Sequence, residues 1–237
     1  MLAFLKRQRK RFDFYEVGFH GDEYLLQFVD VIIRDCDCFI ETGTNVGSTL
    51  AYMARNYARL ECLSCEPDED AYRLALDHTS RLSNVSVYNE TSQEFLIRLD
   101  REYSHFFNKN VLFWLDSHGY GFKWPLREEI AFISSGFKSP YILIDDFKVP
   151  GSDCFGYDAY EGQECSLDYI QGALKPRPDY SLYYPLYTEK TSRHHPLKGW
   201  GLIGFGHENG LKLPDALKGK IRHLYMNRSG EGENDAS

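Results

Sequence analysis

The sequence lacks the features that mark membrane proteins and secreted proteins. No apolar run approaches the length of a transmembrane helix. The apolar start of the chain precedes its first charges and is shorter than the apolar region of a signal peptide. Six cysteines in 237 residues do not indicate the disulfide framework of a secreted protein. We therefore expect a cytoplasmic protein without a membrane span.

Positive charge is also scarce, because the formal net charge is -8. Phosphate binding requires clustered Lys and Arg, so we do not expect nucleic acid as a partner. One local exception is the basic run at residues 6–11, behind an apolar start. It is typical of a solvated arm, and contact with an anionic membrane or RNA remains an alternative. We interpret residues 1–35 as this basic arm followed by a lead-in helix, and residues 229–237 as a disordered tail.

The length suits one sizeable core and is too short for two full α/β domains. From residue 36 onward, short apolar runs alternate with stretches of helical pattern, which predicts a parallel sheet covered by helices. We expect a single α/β domain over residues 36–228. Its fold should be a Rossmann-like, doubly wound, mostly parallel seven-stranded sheet with a final antiparallel strand.

The predicted strands are residues 38–40, 60–66, 85–88, 111–115, 141–144, 180–185 and 199–205. Predicted helices occupy residues 48–57, 68–80, a segment opened by Thr91 or Ser92 with Glu94 as capping partner, 125–134 and 164–173. Residues 148–163 have no periodicity and are interpreted as a long functional loop.

Four cysteines have a spacing that two explanations fit: Cys36, Cys38, Cys62 and Cys65. Four thiolates could bind zinc. Three of the four fall in or beside predicted strands, where alternating side chains point to different faces. Cysteine is also among the residues most often buried, so core packing is the favoured interpretation.

Strongly polar residues follow the apolar runs at the ends of the predicted strands. They are Glu41, Glu66, Asn89, Glu90, Asp116, Asp145 and Asp146. Parallel strands all end at one edge of a sheet, and ligands bind there. These residues are therefore the candidate functional residues.

The loop from Glu41 to Gly47 lacks the second glycine of the dinucleotide-binding pattern, because Asn45 stands in that position. This weakens a prediction of NAD binding. A cofactor without phosphates tolerates a side chain there, while Gly43 still permits a tight turn and Gly47 a close helix approach. Glu66, at the end of the next strand, can accept hydrogen bonds from both ribose hydroxyls.

With this loop and Glu66, residues 36–206 resemble class I S-adenosylmethionine-dependent methyltransferases. The resemblance implies S-adenosylmethionine as cofactor, the loop against its methionine and ribose, Glu66 on the ribose, and the segment from Asn89 to Ser92 against adenine. The implied cofactor-binding residues are Glu41, Gly43, Thr44, Asn45, Gly47, Glu66, Asn89, Thr91 and Asp116.

Asp116, Asp145 and Asp146 come from the ends of two strands that are neighbours in this fold. Clustered carboxylates repel one another, and Mg²⁺ would relieve that repulsion. Capping and loop hydrogen bonds are the alternative explanation. The pattern resembles the metal-dependent O-methyltransferases of the macrocin and cephalosporin-biosynthesis type, which implies that these three residues bind the metal. The macrocin group has a second aspartate where this chain has His118. Asp116 and His118 are therefore the candidate catalytic residues, with His118 as the base. A histidine hydrogen-bonded within the turn at residues 117–121 is an equally good explanation of His118.

The turn at residues 190–198, with Arg193, His194 and His195, should open on the cofactor side. Recognition of the acceptor together with residues 157–161 is one interpretation, and solvent-exposed histidines are the more ordinary one. The resulting hypothesis is Mg²⁺-assisted methyl transfer to a hydroxyl of a small molecule, such as a sugar or natural product. Three alternatives remain: an NAD-dependent oxidoreductase, a non-catalytic binding module, and a methyltransferase that uses the basic arm to bind RNA or protein. The sequence does not decide between a monomer and a homo-oligomer.

Overall fold

Strands and helices alternate along the chain in the computed structural model, which describes residues 17–117, 124–192, 195–206 and 208–227. The helices are α1 (Glu23–Ile32), α2 (Ser48–Asn56), α3 (Glu69–Thr79), α4 (Ser92–Glu102), α5 (Leu126–Gly136) and α6 (Leu167–Ile170). The strands are β1 (Cys38–Thr42), β2 (Glu61–Cys65), β3 (Val85–Tyr88), β4 (Asn110–Leu115), β5 (Ser139–Ile144), β6 (Ala159–Tyr160), β7 (Gln163–Glu164), β8 (Tyr180–Pro185), β9 (Gly201–Gly204) and β10 (Ile221–Met226). Within these ranges, every helix is too short or too polar to span a bilayer.

The main sheet has the strand order β10-β8-β9-β5-β4-β1-β2-β3. Strands β1 to β5 form the parallel part of the sheet, since every pairing between two of them is parallel. β9 runs antiparallel to both β5 and β8, between which it lies. The predicted fold class, a Rossmann-like and mostly parallel sheet with a late antiparallel strand, is confirmed.

The sheet has one strand more than the predicted seven, because β10 adds to its edge, antiparallel to β8. This strand contains Arg222 and His223 and is only half-buried over most of its length. An edge strand of this kind contains no continuous apolar run, and such a run is the signal by which the buried parallel strands were predicted.

The region between β5 and β8 also differs from the prediction. Instead of a helix over residues 164–173, the chain forms the four-residue α6 and a 3-10 turn at Gln171–Leu174. Gly172 lies inside that turn, and glycine is a poor residue for a helix interior. The loop predicted over residues 148–163 contains the short strand β6, which pairs with β7.

The lead-in helix α1 packs into the same hydrophobic core as the sheet. Asp22 caps it, since its carboxylate accepts hydrogen bonds from the backbone N–H groups of Tyr24 and Leu25. The buried face of the helix consists of Leu25, Phe28, Val29 and Ile32. The phenol of Tyr187 donates to Asp22 and accepts from the Trp200 indole N–H at 3.0 Å. The first helix is thereby joined to the segments around the last strands.

Cys36, Cys38, Cys62 and Cys65 are each at most 1% exposed and belong to the hydrophobic core. Burial raises the pKa of the Cys36 and Cys62 thiols to about 12. A zinc ligand must be a thiolate, so this environment favours core packing over metal binding.

Candidate functional site at the carboxyl ends of the parallel strands

The strand register aligns the predicted site residues along one edge of the sheet. Thr42 is paired with Cys65 on one side and with Leu115 on the other, and Leu115 is paired with Ile144. The residues that follow these positions therefore leave the sheet at the same level. They are Gly43, Glu66, Asp116 and Asp145.

Residues 41–47, here called the cofactor loop, turn sharply at Gly43. The backbone N–H groups of Gly43 and Thr44 both donate to the carbonyl of Cys65, at 3.1 and 3.0 Å. Gly43 has a φ of 84°, and a Cβ added to it would lie 2.4 Å from the carbonyl oxygen of Asp116. A side chain at this position would separate the cofactor loop from the end of β4, so glycine is required there.

The far end of the cofactor loop begins helix α2 at Gly47, whose φ is 80°. A Cβ on Gly47 would lie 3.2 Å from Ala75 in α3, so this glycine permits the close helix approach predicted from the sequence. Asn45, in place of the missing glycine, has a left-handed backbone with φ 50° and an exposed side chain.

Glu66 anchors the cofactor loop through its carboxylate. Its Oε2 accepts a hydrogen bond from the backbone N–H of Asn45 at 2.6 Å, and its Oε1 accepts from that of Asp68 at 3.0 Å. Burial raises the pKa of Glu66, and these two hydrogen bonds oppose the rise. Each carboxylate oxygen has a second lone pair, so the group keeps the capacity to accept two further hydrogen bonds.

Glu41, the first residue of the cofactor loop, is 1% exposed. The Ser64 hydroxyl donates to Glu41 Oε2 at 2.8 Å and also forms a hydrogen bond with the hydroxyl of Thr44. Burial raises the pKa of Glu41 to about 8, the Ser64 hydrogen bond lowers it, and the charge of Glu66 raises it. Glu41 therefore supports the loop by a short hydroxyl network.

Asn89 and Thr91 both make contacts that fix the end of β3. The Asn89 amide donates to the carbonyls of Glu66 and Pro67 at 2.8 and 3.2 Å. Thr91 forms the expected capping box with Glu94 at the start of α4. Both side chains are exposed at the predicted adenine position.

Asp145 and Asp146, here called the acidic pair, are 4% and 6% exposed, and each is bound by a basic side chain. His20 Nε2 lies 2.6 Å from Asp145 Oδ2, and Lys198 Nζ lies 2.5 Å from Asp146 Oδ1. Asp116 is hydrogen-bonded to Asp145, and its pKa is raised well above the ordinary value, first by burial and then by the charges of Asp145, Asp146 and Glu41. The three predicted aspartates do lie together.

Sequence reasoning missed His20 and Lys198. His20 belongs to the segment interpreted as an arm before the lead-in helix, and Lys198 belongs to the predicted acceptor turn but was not distinguished within it. A signal beside Lys198 was the pair of glycines flanking Trp200, which indicates close packing of the backbone. The candidate base His118, and Arg193 and His194 of the acceptor turn, lie outside the described residues.

Two small pockets meet at Asp145. The first, here called the lead-in pocket, has a cavity volume of about 10 Å³ and lies between the segment before α1 and the predicted acceptor turn. Its lining includes Phe19, His20, Asp22, Asp145, Lys198 and Trp200. The second also has a cavity volume of about 10 Å³ and is lined in part by Ser117, Trp124, Asp145, Asp146 and Asp158.

The chain matches no family model and no curated protein sequence. Its fold is that of the class I O-methyltransferases, as the solved structures similar to it show. The O-methyltransferase TomG from Streptomyces achromogenes, involved in tomaymycin synthesis and solved with S-adenosylmethionine, is 14% identical with a TM-score of 0.59, over 82% of this chain and 84% of TomG. An O-methyltransferase from Bacillus cereus, solved with S-adenosylhomocysteine, is 13% identical with a TM-score of 0.56, over 86% of this chain and 89% of that one.

Proposed function

We propose that this protein is an S-adenosylmethionine-dependent methyltransferase that acts on a hydroxyl of a small molecule. The observation that carries this proposal is the geometry of the cofactor loop, which turns at Gly43 against the end of β4 and is held by the Glu66 carboxylate. The fold supports it, because the O-methyltransferases named above have the same fold.

The residues around the cofactor loop fit S-adenosylmethionine. Gly43 and Gly47 let the loop approach the end of β4 and helix α3, where a Cβ would clash, and Glu66 keeps lone pairs for the ribose hydroxyls. The exposed Asn45 side chain disfavours close approach of a pyrophosphate, which argues against a dinucleotide. When bound, S-adenosylmethionine would supply an electrophilic methyl group to the acceptor oxygen, with the neutral thioether S-adenosylhomocysteine as the leaving group and the hydroxyl proton lost to a base. The protein's part is to hold the two reactants in line.

The lead-in pocket is the proposed acceptor site. Its cavity volume is about 10 Å³, so an acceptor enters only when the side chains that line it move apart. Its polar groups, His20, Asp145 and Lys198, are hydrogen-bonding partners suited to a hydroxylated compound. Ser192 of the predicted acceptor turn also lines it, which supports a role for that turn in recognition. The candidate base His118 remains a prediction.

The predicted Mg²⁺ does not fit the arrangement of the aspartates. A metal requires several carboxylate oxygens directed at one point. Here one oxygen of Asp145 is bound to His20 and one of Asp146 to Lys198. Over the described ranges, no group of three or more His, Cys, Asp or Glu side chains is arranged to hold a metal ion. The proposed methyl transfer therefore includes no step at a metal.

Calorimetric titration with S-adenosylmethionine tests the cofactor assignment. We expect binding by the wild-type protein, and we expect Glu66→Ala to weaken it about tenfold or more, since it removes a charged hydrogen-bond acceptor. Glu69→Ala is the matched control. This exposed glutamate lies three positions away from Glu66 and forms a surface salt bridge with Arg73.

The titration has two outcomes that contradict the proposal. Either no binding by the wild-type protein, or equal binding by the wild type and Glu66→Ala, would remove the basis of the cofactor assignment. A parallel titration with NAD separates the methyltransferase from the oxidoreductase alternative, and tighter binding of NAD would favour the latter.

A further inference from the structure

The position of Lys198 is fixed by hydrogen bonds on both sides of it. The backbone N–H of Gly156 donates to the carbonyl of Leu197 at 2.9 Å, and the N–H of Gly199 donates to the carbonyl of Gly156 at 2.9 Å. A Cβ on Gly156 would lie 3.3 Å from Lys198 Cδ, so the alkyl part of the lysine packs over this glycine. The side chain is directed at the acidic pair by a rigid backbone and not by chance surface contact.

The backbone after Lys198 is also pressed against the chain that follows the acidic pair. Phe147 donates its N–H to the carbonyl of Gly199 at 3.0 Å, and a Cβ on Gly199 would lie 2.0 Å from the Phe147 carbonyl oxygen. Asp146 has a left-handed backbone with φ 47°, which is uncommon for a residue other than glycine. Strained backbone of this kind clusters at functional sites, where the surrounding structure maintains it. Both members of the ion pair are thus held by their backbones.

His20 and Lys198 contact the two carboxylates at which a divalent cation was predicted from the sequence. Asp145 and Asp146 are adjacent and nearly buried, so their negative charges require compensation. Lys198 is 28% exposed and reaches Asp146 from one side, while His20 reaches Asp145 from the other. The two contacts occupy carboxylate oxygens that a metal would need. The Lys198 ammonium carries its charge without any dependence on the protonation state of His20.

We propose that Lys198 is the built-in cation of the acidic pair, and that it replaces a divalent metal at the acceptor end of the site. The acceptor role of this pocket rests on the proposed function, whereas the replacement of the metal does not. The protein is therefore expected to have no divalent-metal site at Asp145 and Asp146, and removal of the lysine charge is expected to create one.

The first test is a titration of the purified wild-type protein with Mn²⁺, followed by electron paramagnetic resonance of the free ion, with and without S-adenosylhomocysteine. We expect no saturable site at micromolar Mn²⁺ in either condition. A saturable micromolar site that disappears in Asp145→Asn or Asp146→Asn would overturn the proposal. This measurement needs only wild-type protein to show the absence of a site, so it remains decisive if a lysine variant fails to fold.

The second test is the same titration on Lys198→Met, which keeps the alkyl chain and removes the charge. We expect Mn²⁺ to bind at least about tenfold more tightly than to the wild type, because the Asp146 carboxylate then loses its cationic partner. Lys220→Met is the matched control, since it breaks another lysine–carboxylate pair, with Glu189, outside both pockets. Equal Mn²⁺ binding by the wild type and a folded Lys198→Met protein, with folding verified by circular dichroism, would contradict the proposal.

Failure of the proposed function would be recognised separately in these samples. If the wild-type protein does not bind S-adenosylhomocysteine, the methyltransferase proposal fails. The Mn²⁺ titrations still decide whether Lys198 stands in place of a metal, because they do not depend on methyl transfer.

Discussion

The cofactor loop and the acidic pair stabilise buried carboxylates in different ways. At the loop, Glu41 and Glu66 accept hydrogen bonds from uncharged donors, namely a serine hydroxyl and backbone N–H groups. At the other end of the site, Asp145 and Asp146 are bound by His20 and Lys198. Uncharged donors leave a buried carboxylate costly to ionise, whereas a basic partner stabilises its charge. The two ends should therefore respond differently to mutation and to pH.

Sequence separation distinguishes the two ends as well. The loop contacts of Glu41 and Glu66 join residues 21 to 23 positions apart in consecutive β-α units. His20 and Asp145 are 125 positions apart, and Lys198 and Asp146 are 52 positions apart. The hydrogen bonds of Glu41 and Glu66 thus form between neighbouring parts of the chain, whereas the acidic pair depends on the completed fold.

The largest expected effect lies at the cofactor end, where Gly43→Ala should destabilise the protein by about 4 kcal/mol. The added Cβ would lie 2.4 Å from the Asp116 carbonyl oxygen, so overpacking adds to the strain of a left-handed alanine, each costing roughly 1–3 kcal/mol. Chemical denaturation measures the change in the free energy of unfolding.

The control for Gly43 is Gly219→Ala. Gly219 has a φ of 71°, and the described residues leave open space around an added Cβ there. Its substitution should cost only the backbone strain, about 1 kcal/mol. Similar losses in the two variants would show that the approach of the cofactor loop to β4 is not tight.

The second prediction concerns pH and the buried carboxyl of Glu41. Burial raises the pKa of Glu41 to about 8, from an ordinary value near 4.5. Between these values the folded protein binds a proton that the unfolded chain has lost, so the stability of the wild type falls as pH rises through this window. Glu41→Gln removes this dependence, and its stability relative to the wild type should increase by about 3 kcal/mol from pH 5 to pH 8.

Thermal or chemical unfolding at several pH values checks the Glu41 prediction. Ser64→Ala provides a second comparison, because the Ser64 hydrogen bond lowers the pKa of Glu41. Its loss should raise that pKa further, so that the fall in stability extends to higher pH. A pH-independent difference between Glu41→Gln and the wild type would mean that Glu41 is ionised normally in the folded protein.

The smallest of the three effects is expected at the acidic pair. Asp146→Asn should reduce the free energy of unfolding by about 2 kcal/mol, less than for a fully buried ion pair, because Lys198 is 28% exposed to solvent. Combination with Lys198→Met should recover part of the loss, as a double-mutant cycle would show. Glu189→Gln, which breaks the exposed pair with Lys220, should cost less. If Asp146→Asn and Glu189→Gln reduced the free energy of unfolding equally, the Lys198–Asp146 pair would be no different from an exposed surface pair.

Much of the fold was predictable because its central strands are buried on both faces. The predicted strand at 111–115 corresponds to β4 at Asn110–Leu115, and the predicted strand at 141–144 lies within β5 at Ser139–Ile144. Continuous apolar runs define such strands. β10 was missed, since an edge strand is paired on one side and contains polar residues.

The candidate site likewise contains residues that local sequence predicts and residues that it does not. Gly43 and Gly47 belong to the loop directly after the first predicted strand, and Glu66 ends the second, so their positions were derived from local sequence. The partners of the acidic pair were not, because no local pattern relates His20 to Asp145 across most of the chain. Only packing of the completed sheet brings α1 and the turn before β9 to the same pocket.

The junction of α1 with the last strands also sets the order in which the site can form during synthesis. The Tyr187 phenol meets Asp22 across 165 positions, and the lead-in pocket needs Phe19 and His20 together with Lys198 and Trp200. A ribosome releases the first of these residues long before the last. The nascent chain can build the strands that support the cofactor loop early, but the acceptor end forms only when almost the whole domain has emerged.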